Sequence, residues 1–181
     1  SNQFNANTDD DEDEENDLVE ESILDLATSR FRANRMLKWH YRSRHESLID
    51  FSNHHFYQNQ LIIPPSPITT SAVTTTKVDA YYKGKINIQE KDKLIKDIIP
   101  FMSTNIRKGD GDKKSKSCLI VTMNIFQAES IEDDLNKKKL EYPVIEEYEN
   151  SWKDTGEEFT VKNLESVQGD ERDVIFISTI F

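Results

Sequence analysis

The run Ser117-Cys-Leu-Ile-Val-Thr122 decides the fold class of this chain. Its apolar residues follow one another without the alternation of a half-exposed strand, which is typical of a parallel sheet covered on both faces. Two further strands are predicted, near 160–164 and, from another continuous apolar run, over 174–179. Between the strands the sequence has helical periodicity, over about 88–104 and 126–139. Strands that alternate with helices predict an α/β fold with a mostly parallel sheet flanked by helices.

A parallel sheet also predicts where a site lies. Ligands collect at the carboxyl ends of parallel strands, in the loops that lead into the next element. The segments that follow predicted strands are therefore the candidates for function, and they are 40–44, 122–127 and 165–172.

The first half of the chain has weaker patterns. Apolar spacing predicts short helices over 20–28 and 45–55, and short strands over 35–40 and 77–82. Three prolines between Leu61 and Pro67 exclude a helix there, because proline lacks the amide hydrogen and fixes its own backbone angle.

The acidity of the chain is concentrated at its start. Residues 1–22 hold ten of the 34 acidic residues and no Lys or Arg, so the other 24 acids face 23 Lys and Arg. A block of like charges repels itself and cannot bury a core. We therefore expect 1–22 to be a disordered or linker segment ahead of one domain over 23–181. A role for this segment in recruiting a basic partner, or in mimicking DNA, stays open.

Several classes of site are not indicated. No apolar run approaches the roughly 18 residues that span a bilayer, so no membrane partner is expected. The single cysteine, Cys118, is predicted to be a buried strand thiol, and it fits a reducing, cytoplasmic setting. The glycine- and lysine-containing phosphate loop of nucleotide-binding proteins is absent. No metal site is expected, since no suitable ligand spacing is found among His40, His45, His54 and His55.

The pair Tyr41-Arg42 follows a predicted strand and precedes a predicted helix. A tyrosine ring offers a face on which a base stacks, and an arginine binds phosphate oxygens with two parallel hydrogen bonds. From the residue types alone, a packed tyrosine beside a surface arginine is the favoured interpretation.

The second candidate segment is Val161-Lys-Asn-Leu-Glu-Ser-Val-Gln-Gly-Asp-Glu-Arg-Asp-Val-Ile-Phe-Ile-Ser178. Gly169 allows a ligand to approach the backbone closely, and Glu171 has the chemistry to accept hydrogen bonds from ribose hydroxyls. A tight turn with a solvated acidic cluster is the alternative interpretation of the same residues.

Both segments resemble motifs of superfamily 1 helicases. The first is similar to motif IV of the branch that includes the nonsense-mediated-decay helicase and large bacterial helicase-like proteins. Asn59 replaces a usual glycine, but asparagine tolerates the left-handed turn required there. The matching residues are Leu37, Tyr41, Arg42, Phe51, Ser52, Phe56, Tyr57 and Leu61. The second segment resembles motif V through Gln168, Gly169, Glu171 and Asp173. Thr122 and Gln127 match a third, weaker pattern, in which Met123-Asn124 replaces the usual Pro-Tyr.

The resemblance implies a RecA-like second motor domain of a helicase, truncated before motif VI. In such a protein ATP and Mg²⁺ are bound mainly by the first RecA-like domain, which is expected elsewhere in the same parent chain. The resemblance also implies that the parent protein moves along single-stranded DNA or RNA. Arg42 is the implied catalytic arginine finger; Tyr41, Gln168, Gly169 and Glu171 bind or sense the nucleotide, and Thr122 and Ser166 bind nucleic acid. The isolated fragment is expected to be inactive.

Two functions of another class remain as alternatives. One is a non-catalytic interaction module that uses the acidic segment 1–22. The other is a metal-dependent nuclease, for which the candidate carboxylates are Asp170, Glu171 and Asp173. Thr122 has a second interpretation too, as the residue that caps the following helix.

Overall fold

The computed structural model describes residues 23–31, 35–82 and 84–180. It divides the chain into two compact units, Ser1–Thr74 and Thr75–Phe181, which are described in turn. The acidic segment 1–22 lies outside the described residues, so its predicted flexibility stays a prediction.

The second unit contains a sheet of three parallel strands. They are β1 (Cys118–Thr122), β2 (Val161–Asn163) and β3 (Val174–Ser178). The strand order is β2-β1-β3, so β1 lies at the centre and is buried along its whole length. The parallel α/β fold predicted from the apolar runs is therefore confirmed.

Three helices accompany the sheet, and they begin at clear sequence signals. They are α3 (Ile88–Thr104), α4 (Ile125–Lys138) and α5 (Val144–Trp152). Asn87 caps α3 by accepting a hydrogen bond from the Glu90 amide at 3.0 Å, which satisfies one of the free donors of the first turn. Helices α3 and α4 match their predictions closely, whereas no helix was predicted over Val144–Trp152.

The core lies between these helices and one face of the sheet. Ile120 of β1 packs there with Ile98, Ile131 and Tyr148, one from each of the three helices. The opposite face is more open, because Ile175 and Ile177 of the edge strand are 45% and 58% exposed. The apolar runs predicted a sheet covered on both faces, whereas this face is partly exposed at the edge strand.

The first unit is built from short elements and turns. Helix α1 spans Ile23–Arg30, a 3₁₀ helix spans Glu46–Leu48, and α2 spans Asp50–Phe56. The predicted strand over 35–40 is wrong, because only an isolated parallel bridge joins Trp39 to Ile62. The strand predicted over 77–82, in the second unit, is also wrong. Residues 77–82 alternate between apolar and polar side chains, but they pair with no strand in the part of the chain that is described.

Candidate nucleotide and nucleic-acid site

In the first unit, the backbone ahead of Tyr41 is held by the bridge to Ile62. The Ile62 amide donates to the Lys38 carbonyl at 2.7 Å, and the His40 amide donates to the Ile62 carbonyl at 3.0 Å. Immediately after this anchor, Tyr41 is 90% exposed. A ring in this position is available for stacking on a flat ligand, and it is not the packed tyrosine of the alternative interpretation.

His40 and Ser43 close a turn around Tyr41 and Arg42. The Ser43 amide donates to Nε2 of His40 at 3.2 Å, and the Ser43 hydroxyl lies 2.7 Å from the same nitrogen. The turn leaves the Arg42 side chain exposed.

The chain after Arg42 is anchored by two buried or half-buried polar residues. His45 caps the 3₁₀ helix through Nδ1, which accepts from the Ser47 amide at 3.1 Å, and its Nε2 donates to the Ile68 carbonyl at 3.0 Å. The Glu46 carboxylate accepts from the Ser66 amide at 2.8 Å, and this bond holds the pKa of Glu46 below its ordinary value. The Tyr41-Arg42 turn is therefore followed by a fixed backbone.

The turn after α2 has the left-handed backbone expected at Asn59. Its φ is 58°, and that of Gln58 is 53°. The buried side chain of Asn53 stabilises this turn, because its Oδ1 accepts from the Leu61 amide at 3.0 Å. Asparagine in place of the usual glycine is thus compatible with the required geometry.

At the carboxyl edge of the sheet, in the second unit, Thr122 and Asn124 form different hydrogen bonds at the start of α4. Thr122 is completely buried, and its hydroxyl donates to the Asn124 carbonyl at 2.6 Å. The side chain of Asn124 accepts from the Gln127 amide at 2.8 Å and is the cap of α4. The interpretation of Thr122 as the helix cap is therefore wrong, since the asparagine two residues later occupies that position. The nucleic-acid role of Thr122 stays a prediction.

Gln127 is a buried residue whose importance the sequence did not reveal. Its Oε1 accepts from the Asn87 amide at 3.0 Å. Its Nε2 donates to the Asn87 carbonyl and to the Ser178 hydroxyl, both at 3.2 Å. One side chain of α4 therefore joins the start of α3 to the end of β3. Since its partners lie 40 and 51 residues away, only the match of Gln127 to a helicase pattern gave a signal.

Ser166 lies at the same edge as Thr122. Thr122 pairs with Asn163 across β1 and β2, and the Ser166 hydroxyl donates to Oδ1 of Asn163 at 2.6 Å. The Leu164 amide donates to the Thr122 carbonyl at 2.9 Å, which links the two strand ends. The structure thus brings together the two residues predicted to bind nucleic acid, and Ser166 is the exposed one.

The loop from 164 to 173 returns from the carboxyl edge to the amino edge of the sheet. Along the way Asp170 pairs with Lys162 of β2 at 2.5 Å. Arg172 then donates to the Glu158 carbonyl at 2.8 Å, and Oδ2 of Asp173 accepts from the Ser117 amide at 3.1 Å, just before β1. Predicted site residues on this loop are consequently spread between the two edges.

Three of those residues are exposed on the loop. Gly169 has a φ of 90°, and an added Cβ would meet nothing within 4 Å, so its backbone is open to an approaching group. Gln168 beside it is exposed. Glu171 is exposed as well, but its carbonyl accepts from Arg172 at 2.7 Å near the amino edge. The structure does not bring Glu171 to the edge that holds Thr122 and Ser166.

The carboxylates of the nuclease alternative are not arranged as a metal site. Asp170 is paired with Lys162, and Asp173 is bonded to the start of β1. Among residues 23–31, 35–82 and 84–180 there is no group of three or more His, Cys, Asp or Glu that could hold a metal ion. That alternative has no support from the geometry.

Cys118 is a buried thiol at the start of β1, as predicted. The Tyr148 hydroxyl lies 3.4 Å from its sulfur. Burial raises the pKa of the Cys118 thiol to about 12, so the reactive thiolate is disfavoured. The residue therefore contributes to the packing of the core.

These observations define the class of the second unit: an α/β domain with a parallel three-stranded sheet, flanked by helices, with exposed polar side chains near both edges of the sheet. None of the helices in the described ranges has the length and apolar character required to cross a membrane.

Comparison with known proteins gives a more particular relationship. The chain is 33% identical over 161 residues to the Mycoplasma genitalium protein named Uncharacterized ATP-dependent helicase MG140, and 31% identical over 161 residues to its Mycoplasma pneumoniae homolog. Each alignment covers 87% of this chain and 14% of the relative, so the chain spans about one seventh of the relatives' length. No family profile and no solved structure matches the chain. The two similarities support a relationship with proteins named as helicases.

Proposed function

We propose that the chain acts as part of an ATP-dependent nucleic-acid helicase or translocase. The observation that carries this proposal is the similarity over 87% of the chain to two proteins named as ATP-dependent helicases. Two segments that resemble helicase motifs, around Tyr41-Arg42 and 161–178, occur in the expected order within the same chain. Superfamily 1 membership and the role of a second RecA-like domain belong to this proposal.

Within that protein, Arg42 is the proposed arginine finger. Its guanidinium binds the γ-phosphate of ATP held by a partner RecA-like domain and stabilises the charge that develops during phosphoryl transfer to water. The anchored turn between His40 and Ser43 supports this role, since it holds the backbone on both sides of Arg42 while the side chain is exposed. Tyr41, on the same turn, stacks against the adenine.

The remaining roles follow the resemblance. Gln168 and Gly169 couple the state of the nucleotide to the nucleic-acid track, and Glu171 binds the ribose. Ser166 and Thr122 donate to the phosphates of single-stranded DNA or RNA. For Thr122 this requires its hydroxyl to leave the Asn124 carbonyl, so Ser166 is the better placed donor. The phosphate loop and the Mg²⁺ ligands are supplied by the partner domain, and the chain alone is inactive.

The test is nucleic-acid-stimulated ATPase activity of the longer protein, wild type against Arg42→Ala. Removal of an arginine finger is expected to lower turnover by about 10³-fold or more. Binding of single-stranded oligonucleotide should change little, because Arg42 is assigned to the nucleotide and not to the track.

Arg44 offers a matched control two residues away, since it is also an exposed arginine of the same segment. Arg44→Ala should retain most of the ATPase activity. An unchanged rate in Arg42→Ala, or equal losses in the two variants, would remove Arg42 from the chemistry and leave the proposal without its catalytic residue.

A further inference from the structure

The loop between α3 and β1 concentrates positive charge in the second unit. Residues 107–116 read Arg-Lys-Gly-Asp-Gly-Asp-Lys-Lys-Ser-Lys, with five basic and two acidic side chains. We call this segment the basic loop. It leads into the amino end of β1, so it lies at the edge of the sheet opposite to Thr122 and Ser166.

Both acidic side chains of the basic loop are engaged within it. Asp110 pairs with Arg107 at 3.1 Å. Asp112 accepts from the Lys108 amide at 3.0 Å, from the Lys114 amide at 2.9 Å and from the Ser115 hydroxyl at 2.7 Å. These donors hold the pKa of Asp112 well below its ordinary range, so the carboxylate stays ionised as the centre of the turn.

The lysines of the basic loop, by contrast, are directed to solvent. All four are exposed, and none forms an ion pair with any residue in the described ranges; they are Lys108, Lys113, Lys114 and Lys116. The loop is also fixed at both ends, because the Arg107 amide donates to the Ser151 hydroxyl at 3.1 Å and the Lys116 amide donates to the Asn105 side chain at 3.0 Å. The cost of ordering the backbone has therefore been met before a ligand binds.

We propose that the basic loop is a second nucleic-acid contact, which binds the phosphate backbone of a single strand through Lys113, Lys114 and their neighbours. Adjacent ammonium groups that have no ion-pair partner among the described residues, on a fixed turn, suit a polymer with about one charge per 3.4 Å of strand, and such contacts do not depend on base sequence. A membrane surface is a poorer partner, since the basic loop contains no apolar side chain to insert. This inference does not depend on the motor proposal, because it concerns the opposite edge of the sheet and requires no ATP.

The experiment measures the affinity of the 181-residue chain for a fluorescein-labelled oligothymidylate by anisotropy, over a series of salt concentrations. For single strands, each phosphate contact contributes about 0.7 to the slope of log K against log salt concentration. The variant Lys113→Gln/Lys114→Gln should therefore have a slope shallower by about 1.4, with weaker binding at low salt. Lys113→Arg/Lys114→Arg, which keeps both charges, should bind like wild type.

Lys96→Gln/Lys137→Gln is the control, because it removes the same charge from exposed helical positions of the same unit. It should leave the slope within error of wild type. The inference is overturned if wild type does not bind the oligonucleotide, or if the control variant loses as much slope as the loop variant.

One further outcome would point to a different partner. A synthetic peptide of residues 1–22, with its ten acidic residues, carries enough negative charge to occupy the same lysines. If the loop variant loses affinity for this peptide while its oligonucleotide binding is unchanged, the basic loop is a site for the acidic segment and the nucleic-acid inference is wrong.

Discussion

Replacement of Gln127 by leucine tests whether one buried amide holds the carboxyl edge of the sheet together. Gln127 and Asn87 are both almost completely buried. In Gln127→Leu the Asn87 amide loses its acceptor at a position that is buried from solvent. The Asn87 carbonyl keeps a partner, because the Lys91 amide also donates to it at 3.0 Å. The variant therefore leaves the Asn87 amide without its acceptor and the buried Ser178 hydroxyl without its donor.

The expected loss in the free energy of unfolding follows from these lost hydrogen bonds. An unsatisfied buried donor costs about 1–3 kcal/mol, and loss of the bond to Ser178 adds about 1 kcal/mol or less. Leucine has a similar volume and recovers part of this by apolar burial, so we expect the free energy of unfolding to fall by about 2 kcal/mol. Urea unfolding followed by the fluorescence of the buried Trp152 reports this change, and Gln89→Leu at an exposed position of α3 is the control.

A second variant separates the hydrogen bonds from packing. Gln127→Glu places a carboxyl group at a completely buried position, where loss of solvation raises its pKa in the folded state above the unfolded value of about 4.3. The protonated form imitates the amide. Stability relative to wild type should thus be best below about pH 4.3 and should fall as the pH rises through the folded-state pKa. If Gln127→Leu costs no more than Gln89→Leu, and Gln127→Glu shows no such pH dependence, the bridging role is refuted.

Two further predictions concern the second unit. Burial raises the pKa of the Cys118 thiol to about 12, so labelling by a disulfide reagent at pH 8 should be roughly 10³-fold slower than for an ordinary thiol. Unfolding in urea should remove this protection. Rapid labelling of the folded protein would contradict the burial of Cys118. The hydrogen bond from Lys91 lowers the pKa of Asp134 below its ordinary 3.8, so the pair stabilises the fold above that pH and loses its effect as the pH falls through the folded-state pKa. Asp134→Asn should lower the free energy of unfolding by about 1–3 kcal/mol at pH 7 and by much less near pH 3, as measured by urea titration at both values; an equal loss at both would assign the effect to packing.

The predicted and observed structures agree where burial alone decides the conformation. β1 was predictable because its continuous apolar run fits the interior of a parallel sheet, and α3 because its apolar residues recur at helical spacing. β3 formed where it was predicted, but as an edge strand with Ile175 and Ile177 exposed. The strands predicted over 35–40 and 77–82 failed for one physical reason. A strand is stable only when it pairs with a neighbouring strand. A short alternation of apolar and polar residues does not indicate whether such a neighbour exists.

Helix α5 was missed although its sequence contains a usable signal. Ile145, Tyr148 and Trp152 recur at intervals of three and four residues and are buried on one face. The acidic residues between them, and Pro143 before the helix, resemble a surface loop when read by composition. Proline is in fact tolerated at a helix start, where its missing amide hydrogen has no partner to lose.

In the candidate site, the sequence motifs point to exposed side chains but not to the buried hydrogen bonds that support them. Exposed side chains, such as Tyr41, are identified by motif resemblance because a ligand needs a particular group at a particular place. The supporting bonds are made by side chains whose partners lie far away in sequence: Glu90 of α3 accepts from the Thr179 amide at 2.7 Å and from the Ile180 amide at 3.0 Å, just beyond β3. Together with Gln127, Glu90 ties the first turn of α3 to the chain that leaves β3. Because these bonds join α3 to the exit of β3, the two elements can move relative to one another only if the bonds break.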